Sequence, residues 1–339
     1  MKKRGQLDST FKYIFILIVG ALFLMFFVRF AMQYASTAET IDVSRWLLNL
    51  EDRLSALGSV SDATSYPTFS TISELMVLEG TLTSGRISHS TDMIIYSPLN
   101  LNTDQPLIWT RRWNYPYDIA SFFYFSSRDR RYYVIYQDTN LENYITDLIG
   151  TESYPSIPRE FNFEIVTLDT LRNDFEMVRN IAPNFQENVF IFIGEKRLFD
   201  PLENSVNNVP NSRIVIVEPG STEKNKEYGD VYIDGQKTMY LGREMLYGTF
   251  FVDNMNNYDY NLNLALERLE SITGIYMSKS NFLRGKKPEC GYNLFSENLL
   301  KIYKDLAESK SKNPKDYSDL VDSLIRRNKD FRGGCVSVF

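Results

Sequence analysis

Sixteen uncharged, mostly apolar residues run from Tyr13 to Val28, bounded by Lys12 and Arg29, and no later stretch of the chain approaches twenty apolar residues. A helix rising ~1.5 Å per residue covers about 24 Å over this run, against a hydrocarbon core of about 30 Å. Phe30, Ala31 and Met32 lengthen it, and the stems of Lys12 and Arg29 can snorkel. The expectation is a basic leader over residues 1–12, then one transmembrane helix over 13–32. A secretory signal peptide is the rival, with small residues near Ala35 in "YASTAET" as a cleavage site. The length of the run and its Phe and Ile content favour a retained anchor.

Charge fixes an orientation. Lys2, Lys3, Arg4 and Lys12 precede the run, and Arg29 alone follows it closely. The positive-inside bias puts the N-terminus in the cytoplasm and the bulk of the chain outside. The net charge is −6 overall and −10 beyond Arg29. A body this acidic lacks the clustered Lys and Arg that neutralise phosphates, so nucleic acid is not an expected partner, and the lipid bilayer is.

"KKRG-Q" ahead of a short polar spacer and a hydrophobic helix resembles the class III leader of archaeal pilin-like proteins. The resemblance implies a cut between Gly5 and Gln6 that leaves the helix on the mature protein. It departs from filament subunits at Thr10, where they often carry Glu, and in the size of its body.

Beyond the anchor, Ile41, Trp46, Leu47, Leu50, Leu54 and Leu57 recur close to helical spacing and predict an amphipathic helix over 39–57. "GSVSDATSYPTFST" reads as a linker. Residues 91–136 are dense in aromatic and β-branched residues and read as strands. Arg111, Arg112, Arg128, Arg130 and Arg131 lie among those aromatics, as cation–π packing or solvated strand faces. From 160 to 233 the pattern runs strand, helix, strand, helix, strand: "FNFEIVTL", "DTLRNDFEMVRNI", "NVFIFIG", "FDPLENSVNNV", "SRIVIVEPG". Continuous apolar strands between helices argue for βαβ units in a sheet covered on both faces. "GDVYIDG" adds a turn. The tail is helical, with Leu262, Leu266, Leu269, Ile272 and Tyr276 on one stripe. The fold class is α/β: a transmembrane helix, a mixed sheet with βαβ units over 69–253, and a C-terminal helical region over 258–339 ending in a helical hairpin.

Cys290 and Cys335, the chain's two cysteines, bracket that hairpin. They suit one disulfide in an oxidising compartment, stabilising by about 4 kcal/mol; two unrelated thiols are the alternative. The single histidine, His89, excludes a His-rich zinc site and reads as a solvent-facing loop residue. Three acids fall after the strands of the parallel region: Asp169, Glu195 and Glu218. Together they could hold a hard cation such as magnesium; separately they are a helix cap and loop residues. Gly-rich phosphate loops, Gly-x-Ser-x-Gly and His-Glu-x-x-His do not occur.

"SFFYFSSRDRRYYVIY", "YLGREMLYGTFF" and "YNLNLALERLESITGIY" resemble successive segments of membrane-anchored proteins from small-genome archaea. That resemblance implies a similar leader, an α/β body and a late Cys, but no assigned activity and no cofactor. The paired Cys it leads one to expect near Tyr260 is absent. The function expected is a non-enzymatic surface or envelope protein that binds a protein partner or assembles with itself. The alternatives are a membrane-tethered metal-dependent enzyme using Asp169, Glu195 and Glu218, and a pilin-like filament subunit.

Overall fold

A computed structural model describes residues 4–68, 74–103, 105–137, 139–151, 155–173, 185, 187–331 and 334–339. Its first element, α1 (Arg4–Gly58), is one unbroken helix of 55 residues, about 82 Å long. The sequence explains the continuity. No proline occurs before residue 58, and residues 33–42 contain neither proline nor glycine. The amphipathic segment expected over 39–57 is therefore the far end of α1 and not a separate element.

The two halves of α1 have different surroundings. Consecutive side chains from Leu22 to Val28 are all exposed, with Leu24 at 68 % and Phe27 at 62 %. This half is long and apolar enough to cross a membrane. In the other half Val43, Leu47, Leu50 and Leu54 fall on one stripe and are buried; Ile41 stays exposed. Each buried side chain of this kind contributes about 1.5–3 kcal/mol.

That stripe packs against two sheets. One has the order β1 (Asp62–Ser65), β7 (Leu107–Asn114), β8 (Asp118–Ser126), β5 (Ile94–Tyr96). The other has the order β4 (Ile87–Ser90), β3 (Thr81–Ser84), β2 (Leu75–Leu78), β6 (Asn100–Leu101). Two expectations are corrected here. Part of the expected linker is β1, paired with β7. His89 is not in a loop: it lies in β4, and its Nε2 is 2.5 Å from Oε2 of Glu51 on α1.

The third sheet has the order β10 (Phe163–Thr167), β9 (Arg130–Tyr136), β11 (Glu187–Ile193), β12 (Ser212–Ser221), β13 (Tyr228–Ile233), β14 (Gln236–Leu241). β10, β9, β11 and β12 run parallel, and β13 and β14 antiparallel. Between the parallel strands the chain forms α2 (Thr139–Ile149), α3 (Leu168–Asn173) and α4 (Asp200–Asn207). Residues 174–181 of the longer helix expected after β10 lie outside the described residues. Strand residues alternate between two cores. Tyr132, Val134, Val189 and Ile191 face the side of α2, and Tyr133, Ile135, Phe190 and Phe192 face α3 and α4. Asp234 and Gly235 turn β13 into β14 with positive φ of 51° and 74°, as a tight hairpin requires.

The C-terminal region is helical, and it shares one core with the first and third sheets. α5 (Arg243–Phe251) and α6 (Met255–Lys286) lie between the first and third sheets. Leu262, Leu266 and Leu269 of the expected stripe are buried, and Ile272 and Tyr276 pack partly. Then follow α7 (Tyr292–Phe295), a π segment (Ser296–Leu300), α8 (Lys301–Glu308) and α9 (Pro314–Asp330). Cys290 and Cys335 form a disulfide with Cα atoms 5.8 Å apart.

Candidate functional site

In the third sheet the chain leaves β9 for β10 on one side, then crosses to β11 on the other. The carboxyl ends of β9 and β11 therefore diverge into a crevice, the place where open parallel sheets collect ligands. A cleft of about 730 Å³ lies there. Gln137 follows β9 directly, Gly194 and Glu195 follow β11, and Glu218 to Ser221 form the end of β12. Leu141 of α2, Ile193 and Leu198 supply apolar wall. β12 is irregular between Pro219 and Ser221, and this break in the ladder turns the strand end beside the cleft.

Glu218 is the fixed carboxylate of the crevice. Its Oε1 accepts the Lys196 backbone N–H at 2.7 Å and its Oε2 accepts the Tyr232 hydroxyl at 3.0 Å. Burial, and then Glu218, raises the pKa of Tyr232, so that phenol remains a donor. The Lys196 ammonium turns outward to Asp200 at 2.7 Å, which raises its pKa and removes it from the crevice.

The three acids expected to act together are divided by the structure. Glu195 and Glu218 line the same cleft; Asp169 is not among its lining residues. Glu195 is largely exposed and pairs with Arg197 at 2.5 Å. Asp169 does not cap α3 either. Thr167 does, its hydroxyl accepting the Thr170 N–H at 3.2 Å. Among the described residues no three carboxylate, His or Cys side chains gather to hold a metal ion.

What the crevice offers is one anchored carboxylate, a second exposed one, the Gln137 amide and the hydroxyls of Ser221 and Thr222 over an apolar wall. This set can hold a small molecule rich in hydroxyl or amine donors. Sequence reasoning missed Gln137, Ser221 and Thr222. Their positions at the ends of β9 and β12 were the available signal, since a strand end adjoining a crossover is where such residues collect. No family model, curated protein or solved structure matches the chain.

Proposed function

We propose that this chain is a single-pass membrane protein with a cytoplasmic N-terminus and an extracytoplasmic α/β body. In this reading it works as a non-enzymatic surface or envelope protein that engages a partner. The carrying observation is the continuity of α1, exposed and apolar from Leu22 to Val28 and carrying one buried stripe from Val43 to Leu54. A helix that enters the core without a break holds the body at a set height and attitude above the bilayer. The excess of positive charge before Tyr13 supports the orientation. The Cys290–Cys335 disulfide supports an oxidising surrounding.

The finer fold reading belongs to the same proposal. β11, α4 and β12 form a βαβ unit, α8 and α9 a helical hairpin stapled by the disulfide. The class III leader and the archaeal family stand with it, on the motifs that carry them.

A second reading, a filament subunit, is favoured by the same long helix, whose exposed apolar half could bundle with its copies once cut from the leader. Protease treatment of intact cells tests the first reading. Loss of the body with retention of a membrane fragment containing Tyr13–Met32 is expected, and full protection of the body overturns the orientation. Filaments in shear fractions of the same cells would move the reading to the second.

A further inference from the structure

Another cavity, of about 320 Å³, opens where α5 begins and shares no lining residue with the crevice. Arg111 borders it. On β7 the residues Trp109, Arg111 and Trp113 share one face, and both tryptophans are fully buried, so Arg111 points inward with them. Its guanidinium lies 5.5 Å from the Trp109 ring centroid and 5.7 Å from that of Tyr247. An arginine placed this way normally spends its five N–H groups on carboxylates. Arg111 does not. Its side chain donates no hydrogen bond among the described residues, and its nearest carboxylate oxygen, Glu244 Oε1, is 3.8 Å away.

The wall holds two further cations, Arg243 and the exposed Lys224, and Arg243 is committed. Arg243 gives Nε and Nη2 to Glu227 Oε1 at 3.1 and 2.8 Å, and Nη2 to Asp147 Oδ2 at 2.7 Å. Both of these bonds to Glu227 go to one oxygen; its Oε2 takes no protein donor among the described residues. Asp62 also faces the cavity, with Oδ1 occupied by Trp109 Nε1 at 2.8 Å. Beside the exposed Lys224, the lining therefore combines one guanidinium with unspent donors and four carboxylates, a surplus of carboxylate oxygens. A dianion would meet that surplus, and a simple cation would meet Arg111. A small molecule carrying one carboxylate and one ammonium meets neither penalty.

We propose that this cavity binds a free α-amino acid, its carboxylate on Arg111 and its ammonium on Glu227 and Glu244. The aromatic floor of Trp109 and Tyr247 holds the guanidinium plane in place for a two-pronged contact.

The test is equilibrium dialysis of the full-length protein in lipid nanodiscs with each of the common L-amino acids. Sodium acetate and methylammonium chloride serve as half-ligands. Saturable binding of at least one amino acid is expected, with neither half-ligand competing at equal concentration. Arg111→Gln should weaken that binding roughly ten- to hundredfold, the worth of a charge-assisted pair. A melting temperature equal to that of the unsubstituted protein would show that the variant is folded. If Arg111→Gln proves unstable, Glu244→Gln is read instead, and the same direction of change is expected. Absence of binding across the panel overturns the proposal, as does binding that survives both substitutions. Acetate competing as well as the amino acid overturns the assignment of the ammonium.

Discussion

Asp253 shows how a few side chains join the parallel sheet to the rest of the body. Its Oδ2 accepts the Leu99 backbone N–H at 2.9 Å, and its Oδ1 lies 3.2 Å from Arg130 and 3.6 Å from Arg213. Arg130 is the first residue of β9 and Arg213 the second of β12, and Glu187, at the start of β11, pairs with both. Arg130 and Arg213 are almost fully buried. Removing one acid leaves buried guanidinium charge uncompensated, so Asp253→Ala should cost about 3–5 kcal/mol, read from chemical denaturation. A result below 1 kcal/mol would mean that solvent or Glu187 takes over the charge. Gly248 tests packing instead of charge. A Cβ there would stand 2.6 Å from the Tyr96 ring, so α5 can lie against β5 only with glycine at this point. Gly248→Ala should destabilise by about 1–3 kcal/mol, although alanine is the better helix former; a gain in stability would contradict the close approach.

At the scale of elements, α1 carries the argument. Placing proline at Ala38 removes one helix hydrogen bond and bends the helix between its apolar half and the body. Ala38→Pro should leave the melting temperature of the body unchanged, since the first buried contact comes later, at Val43. Spin-label distances between α1 residues on either side of position 38 should broaden. A fall in melting temperature would mean that the stalk itself supports the body. Much of this element was legible in the sequence. The spacing of Leu47, Leu50 and Leu54 announced a buried stripe, and the uncharged run announced a helix apolar enough to cross a membrane. Their continuity was not read, because absence of a helix breaker over 33–42 is a weaker signal than a motif. The parallel strands were legible from their unbroken apolar runs. The antiparallel strands β2, β3 and β4 were not: each is four residues long, and β3 and β4 are mostly Thr and Ser, so no run was long enough to stand out, and His89 was lost with them. In the crevice the acids could be picked out one by one. Their separation could not, since Asp169, Glu195 and Glu218 follow different strands and only the sheet order decides which ends meet.

The whole molecule is an acidic α/β body joined to a helix long and apolar enough to cross a membrane, with its last residues drawn back onto the core. Asn328 Oδ1 accepts the Val338 N–H at 2.7 Å, Lys279 and Lys287 reach the carbonyls of Val338 and Gly334 at 2.7 Å each, and the disulfide closes the region. Cysteines 45 residues apart constrain the unfolded chain by about 4 kcal/mol in the loop-entropy treatment. Cys290→Ser with Cys335→Ser should lower stability toward that amount and leave the folded tail in place; an unchanged denaturation midpoint would remove the disulfide from the account. The most direct measurement is peptide mass spectrometry, without reductant, of the protein taken from its native membrane. The account predicts a mature chain that retains Tyr13–Met32, starting at Met1 or Gln6, with Cys290 and Cys335 in one linked peptide pair. A mature start near Ala35, or two free thiols, would contradict an anchored body facing outward.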